Sequence, residues 1–579
     1  MRDPLARWPA IDVAARQDRL RHSLRLAPGP LAAALRESGP AAVRAAERLW
    51  QADPAAWSQD PAVQQKIANR LGWMQAPALM AEHIDRITGF ASGVKRDGFT
   101  DVVLLGMGGS SLAPEVMRAV LGVAAGWPRF QMIDSTDPAA VRAAGTPPET
   151  TLYLLSSKSG TTIEPNSLAA HFRWRLEQAG VPRWAGHFVA ITDDDTELSR
   201  RARTEGFRDV FINPSDIGGR YSALSFFGLV PAALMGHDVA DLVGWALAML
   251  SASAPAADAT THPSIALGLA MAVGARAGCD KLTLIVPPAL EPFGLWVEQL
   301  VAESTGKNGV GVVPIAGEPI ADTVSYRTDR LFVRVRSSSH HEAVNDRALP
   351  SNAPVVELDM PEPAALAAEF MRWEIATAVA GALLGINPFD EPNVQQAKDA
   401  TRTILDRYKA TRVLPAAAAD RTRDGGAELT LSAAARAQLR GRDPEALLSL
   451  LRDGDYVALL AYLGPDEALA RSLGRFRLAV RDRTRAATMF GYGPRYLHST
   501  GQLHKGGPNT GVFVLVSATP ADDLPIPGEA FSFGTLELAQ ALGDFASLDQ
   551  TGRRALHVHL PSPDPGLLDR ILNAVLEAS

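Results

Sequence analysis

From Asp101 onward, short apolar runs end in turn residues and give way to stretches of helical length. VVLLG (102–106), FQMID (130–134), LYLLSS (152–157), HFVAITD (187–193) and DVFIN (209–213) form a first series. This alternation predicts parallel strands joined by crossover helices. Residues 223–250 and 263–279 are apolar on most faces, which predicts buried helices. KLTLIVP, RLFVRVR and PVVELDM open a second series, followed by a helical block from Pro363 to about Tyr408. Residues 415–428 read as a linker or exposed loop. Beyond it come DYVALLAYL, a helix from about Pro465 to Arg483, RAATMFGYG, VFVLVSA, ALHVHLP and a closing helix. Before Asp101 the chain reads as amphipathic helices, with Trp50, Trp57 and Trp73 as anchors to a core. The expected class is α/β. Residues 1–95 form a helical N-terminal segment, 96–260 a first α/β domain and 261–410 the first part of a second. Residues 411–579 are a C-terminal α/β extension that completes the second domain.

Composition narrows the partners. A chain of 579 residues exceeds one ordinary core. Its net charge of −7 is spread along the sequence, which argues against nucleic acid. The single Cys279 excludes an intrachain disulfide framework and fits a reducing compartment. No secretory signal is visible, and the most apolar stretch, Tyr221 to Gly236, is short and broken by Ser222, Ser225 and Pro231. A cytoplasmic protein with no membrane partner is expected.

Candidate chemistry concentrates in two loops. In LYLLSSKSGTTIEPN, Ser156, Ser157, Ser159, Thr161 and Thr162 surround Lys158 and Gly160 where a strand gives way to a helix. Such a loop aims hydroxyls, backbone N–H groups and a helix N-terminus at one spot, which suits a phosphate. The plainer reading is a helix cap, but five hydroxyls exceed what a cap needs. In DVVLLGMGGSSLAPEV, Gly106, Gly108 and Gly109 precede Ser110 and Ser111. No Gly-Lys-Ser/Thr follows, so this is not a Walker A loop. It half-matches a dinucleotide fingerprint. The third glycine is missing, but Asp134 stands near the ribose-binding distance of ~20 residues. Paired with the Ser157–Thr162 loop, it reads better as the second wall of a sugar-phosphate site.

Four further segments carry ionisable groups. Gly218 and Gly219 place Arg220 just before a buried helix. Gln299 and Glu303, four apart, share a helix face. Gly306 is a plausible stop, and a carboxylate in the last turn feels the unfavourable end of the dipole, which raises its pKa towards that of a base. Lys398 follows the turn NPFDEPN, and His498 and His504 stand in YLHSTGQLHK. Each has a bland alternative, a paired arginine, a solvated glutamate or a structural histidine. No Cys/His or His/Asp spacing suggests a metal site.

Together these segments resemble the glucose-6-phosphate isomerase family. GMGGSSLAPEV is similar to its G-x-GGS-x-LGP loop, SSKSGTTIEPN to its phosphate loop, and GGRYSALS to GGRYS. EQLVAESTGK, NPFDEPNVQQAK and YLHSTGQ are similar to three more of its motifs. The wording near the C-terminus looks most like the isomerase half of bacterial transaldolase–isomerase fusions, without a transaldolase half. The histidine motif comes about a hundred residues after Lys398, later than in the family. The resemblance implies two sugar-isomerase-type doubly wound α-β-α sandwich domains and interconversion of glucose 6-phosphate and fructose 6-phosphate, a step of glycolysis and gluconeogenesis. It implies Glu303 as the base, Arg220 as stabiliser of the enediolate, and His498 and Lys398 in ring opening. Gly109, Ser110, Ser157, Lys158, Ser159, Thr161, Thr162 and Gln299 would hold substrate, with His504 as rival to His498. No cofactor or metal is required. A homodimer is expected, with the histidine reaching a neighbouring subunit's site or folding back within its own chain. The alternatives are a non-catalytic sugar-phosphate-binding regulator of the same fold and a nucleotide-dependent oxidoreductase.

Overall fold

The computed structural model describes Trp8 and residues 11–320, 326–338, 348–415 and 418–578. Its strands fall into three sheets. The first is all parallel, in the order Arg129–Ile133, Asp101–Gly106, Thr151–Ser156, Phe188–Asp193, Asp209–Asn213. Every residue of Asp101–Gly106, Thr151–Ser156 and Phe188–Asp193 is buried. Helices cover both faces, which is why these runs are near-continuously apolar and do not alternate. The chain steps from Asp101–Gly106 out to the edge and returns to Thr151–Ser156 on the other side. Loops that follow strands at such a reversal diverge and leave a crevice at the strands' carboxyl ends. Here those loops are the glycine-rich and the hydroxyl-rich one.

The second sheet runs Leu24–Ala27, Val355–Met360, Arg330–Ser337, Lys281–Ile285, Val313–Ile315. Leu24–Ala27 joins it antiparallel, with Leu24 opposite Leu358. The N-terminal segment is therefore not purely helical. Four residues with only Leu24 buried leave too little alternation to register as a strand. Helices Val239–Ala252, Ile265–Arg276 and Leu366–Leu384 are buried on nearly all faces and share one core with both sheets. Gly268 is needed at one crossing, since a Cβ there would lie 2.4 Å from the Ala376 carbonyl oxygen. Trp57 is tied to the same core by donating to the Ala378 carbonyl at 2.8 Å.

The tail corrects the expected sheet membership. Its strands pair among themselves in the order Arg421–Thr422, Glu428–Leu431, Arg554–Leu560, Gly511–Ala518, Tyr456–Tyr462, Ala487–Tyr492, and none joins the second sheet. The last four are parallel. The expected linker at 415–428, of which 416–417 fall outside the described residues, contains the turn of an antiparallel hairpin. The third sheet nonetheless docks on the second domain. Ala487–Tyr492 lies beside Val313–Ile315, and side chains from both sides form one apolar cluster. Within that seam Glu318 accepts from Arg330 at 2.8 Å and from the Thr488 amide at 2.8 Å. Arg477 donates to the carbonyls of Ala316 and Gly317, both at 2.8 Å. Removing one partner of such a buried pair strands a charge and costs about 3–5 kcal/mol, so the seam holds the tail in one register.

Candidate active site

The crevice at the first sheet's reversal is a cavity of about 880 Å³. One wall is the hydroxyl-rich loop. Ser157 Oγ accepts from the Gly160 amide at 3.2 Å and donates to Thr162 Oγ1 at 3.3 Å, and Ser159 and Thr161 hydroxyls lie 3.1 Å apart. Gly160 takes φ +71°, a conformation other residues reach only with strain. The helix Ile163–Gln178 that follows carries no side-chain cap. Its first-turn donors and the loop hydroxyls thus face one end of the cavity, an arrangement suited to an anion. Lys158 is less available than expected, because it pairs with Asp193 and donates to the Ser215 carbonyl at 3.0 Å. Arg70, Arg402 and Lys409 also line the cavity, and no motif marked them.

The facing wall is the glycine-rich loop with Ser110. Gly108 and Gly109 are required by close approach. A Cβ on Gly108 would lie 2.7 Å from Gln299 Nε2 and from the His498 carbonyl, and one on Gly109 would lie 2.0 Å from the Gly219 carbonyl.

The helix Glu291–Thr305 brings Gln299 and Glu303 to the cavity on one face, as their spacing predicted. Gln299 donates through Nε2 to the His498 carbonyl at 2.6 Å, while its Oε1 is buried without a partner. Glu303 pairs through Oε1 with Arg220 at 3.2 Å, while its Oε2 is buried and unpartnered. Burial pushes the Glu303 carboxyl up, and Glu391 adds to this; Arg220 opposes it. Two acceptor oxygens one turn apart, buried at a cavity wall and satisfied by nothing among the described residues, await hydrogen-bond donors.

Arg220 is committed to the protein. It donates to Ser304 Oγ at 2.8 Å, Glu391 at 3.0 Å, and the Pro388 and Asp390 carbonyls at 2.7 and 3.0 Å, besides its pair with Glu303. A substrate oxygen gains one of its N–H groups most readily by displacing Glu391, whose side chain is 44 % exposed. Lys398, on helix Pro392–Thr411, is exposed at the cavity and has no hydrogen bond or ion pair among the described residues.

The histidines separate cleanly. His498 lines the cavity of its own chain, so the fold-back route is the one observed and no neighbouring subunit is needed to deliver it. The loop carrying it is held by Arg495, which grips Asp134 through two bonds of 2.5 and 2.8 Å. Asp134 is thereby occupied, which removes the ribose acceptor that a dinucleotide reading required. His498 Nε2 donates to Glu164 Oε1 at 3.0 Å, and Gln540 Nε2 donates to the same oxygen at 2.7 Å. Burial raises the Glu164 carboxyl, but His498 and Lys398 outweigh it and hold it below the usual range. His504 corrects the candidate set. It is 1 % exposed, both ring nitrogens lack hydrogen-bond partners among the described residues, and it meets Phe513 edge-on at 5.2 Å, outside the cavity lining. Burial, then Lys505 and Arg553, keep it neutral. Its helix Gly501–Gly506 packs so closely on the end of the Glu303 helix that a Cβ on Gly306 would lie 2.4 Å from Leu503 Cα. Glu164, Glu391 and Gln540 went unassigned in the sequence reading. Glu164 sits inside a motif already singled out, whereas Gln540 on helix Phe533–Gln550 lies in no motif.

Residues 68–313 match a family model described as phosphoglucose isomerase. A glucose-6-phosphate isomerase from Rubrobacter xylanophilus is 29 % identical over 397 residues, covering 58 % of this chain and 90 % of that one. A glucose-6-phosphate isomerase from Synechococcus sp. (strain CC9605) is 34 % identical over 259 residues, covering 41 % of this chain and 48 % of that one. The chain thus spans about half the length of some curated relatives it matches. Among solved structures, a hypothetical protein from Thermus thermophilus shares the fold with a TM-score of 0.55 at 26 % identity, over 66 % of this chain and 99 % of that one.

Proposed function

We infer that this chain, whose residues 68–313 match the phosphoglucose isomerase family model, interconverts D-glucose 6-phosphate and D-fructose 6-phosphate through an enediolate. The observation that carries this reading is Glu303, a cavity-lining carboxylate with one oxygen free of partners among the described residues. A sugar-phosphate binder needs the hydroxyl loop but has no use for a base held this way. The phosphate lies against Ser110, Ser157, Ser159, Thr161 and Thr162, with Lys158 and the helix N-terminus adding positive potential. His498 and Lys398 serve ring opening, moving a proton between the anomeric hydroxyl and the ring oxygen. With its Nε2 hydrogen directed at Glu164, the Nδ1 of His498 is left as the basic nitrogen, and Glu164 stabilises the imidazolium when that nitrogen takes a proton. Glu303 takes the C2 proton of the open-chain aldose and returns it to C1, while the proton of the C2 hydroxyl passes to the C1 oxygen. The negative charge that develops on the enediolate oxygens lies towards Arg220, held in advance by its own hydrogen bonds. Gln299 orients a sugar hydroxyl through its unpartnered oxygen. No step calls for a redox or metal cofactor. A role in glycolysis and gluconeogenesis, a cytoplasmic location and a homodimer belong to the same reading and rest on the family relation.

The test is a coupled assay of fructose 6-phosphate conversion, with and without a chelator. Wild type is expected to turn over in both, and Glu303→Gln to fold normally and lose activity by about two orders of magnitude or more. A variant that kept most of its activity would show that another group carries the proton. A wild type that bound the sugar phosphate and never converted it would be the regulator.

A further inference from the structure

A second cavity, of about 590 Å³, lies at the carboxyl ends of the third sheet's strands. The chain steps from Tyr456–Tyr462 out to Ala487–Tyr492 and returns past it to Gly511–Ala518. The loops after Tyr462 and Ala518 diverge at that reversal, the place where open parallel sheets take ligands. The short helix Pro138–Ala143 of the first domain forms the opposite wall.

Of the four carboxyls in the lining, Asp466 caps the helix Glu467–Thr484 and Asp522 pairs with Arg142, which leaves Asp137 and Glu537. Glu537 is 2 % exposed, and its Oε1 is buried without a hydrogen-bond partner among the described residues. Burial, then the neighbouring Asp137 and Asp523, push it well above its ordinary range. Asp137 is 7 % exposed and lines the same cavity. Gly464 lies directly over it, where a Cβ would come within 2.6 Å of Asp137 Oδ1. The lining holds one basic side chain, Arg142, and it is already engaged, pairing with Asp522 at 2.5 Å and donating to the Pro138 carbonyl at 3.2 Å. The remaining wall is largely apolar, with Tyr462, Leu463 and Leu469 as its bulkiest side chains.

We propose that this cavity binds a small organic cation, a primary ammonium on a short hydrocarbon body, with the ammonium between Asp137 and Glu537. Neighbouring carboxyls in a desolvated site require either a proton or a cation between them. An ammonium brings a positive charge and three donors with no acceptor, which matches an unpartnered carboxyl oxygen. The apolar wall accommodates methylene groups. A phosphate is repelled here, in contrast to the first cavity with its lysines and arginines. The proposal does not depend on the isomerase reading, because none of these residues lines the first cavity.

The test is isothermal titration of the full-length protein with 1,4-diaminobutane, in inorganic phosphate sufficient to fill the first cavity. The expected result is saturable one-to-one binding, weakened about tenfold or more in Glu537→Gln and in Ala521→Trp. The first variant keeps the side chain's shape and removes its charge. The second sits on the exposed rim and blocks entry without touching either carboxyl. Unaltered binding in both variants overturns the proposal. So does the absence of saturable binding in wild type up to about 10 mM diamine, or displacement of the diamine by an equal concentration of glycerol.

Discussion

Glu303 and Glu374 are both buried carboxyls, and their surroundings give them opposite significance. Glu303 borders a cavity and has Arg220 beside it, so burial raises its pKa without leaving it unanswered. Glu374, inside helix Leu366–Leu384, is fully buried with both oxygens unpartnered among the described residues, and burial alone pushes it well above its ordinary 4.5. A carboxyl raised in the folded state contributes stability below its unfolded pKa and loses it as pH rises toward the folded one. Between those values the loss is about 1.4 kcal/mol per pH unit. Glu374→Gln removes that slope. Thermal melts should show little difference from wild type near pH ~4 and a more stable variant at pH ~8; an offset equal at both pH values would mean Glu374 does not titrate this way. At this scale the sequence was legible where one element carries the argument. Gln299 and Glu303 share a helix face by spacing alone. It was not legible for the histidines, which are six residues apart in similar surroundings. What chooses His498 is the grip of Arg495 on Asp134, a contact between residues 361 apart.

The hydroxyl-rich loop works as a unit. Ser157 and Thr162 hydrogen-bond each other across its turn, so they shape the loop and face the cavity together. Ser157→Ala combined with Thr162→Ala is expected to weaken sugar-phosphate binding, each lost bond to a charged group costing roughly 1.5–3 kcal/mol. Inhibition constants for fructose 6-phosphate and for phosphate-free fructose separate the causes. Equal losses on both would move the phosphate away from this loop. Both cavity loops were readable because glycine and hydroxyl clusters at strand ends have local causes. Leu24–Ala27 was not, because a four-residue edge strand takes its identity from the partner at Val355–Met360, far along the chain.

Across the whole molecule, three bodies contribute to one cavity. The first sheet supplies the loops and Glu164, the helix beside the second supplies Gln299 and Glu303, and the third supplies His498 and Gln540. The two β/α series and their helices were legible from the sequence. The third sheet's independence was not, since the same strand pattern serves a separate sheet or an extension of an earlier one. Because His498 reaches the cavity of its own chain, mixing Glu303→Gln with His498→Asn under conditions of subunit exchange should restore no activity; recovered turnover would mean that the histidine acts between chains. The junctions of His498 with Glu164 through its ring and with Gln299 through its carbonyl tie all three bodies together, and on the proposed function they make the chain a coincidence detector of its own assembly. Turnover requires all three bodies to be docked at once, whereas spectroscopic helix content sums over each body separately. In increasing urea, catalysis should therefore fail at a lower concentration than the far-ultraviolet circular dichroism signal, because a slight parting of the bodies misaligns reacting groups before any one of them unfolds. Coincident midpoints would mean that the three bodies dock and unfold as one cooperative unit.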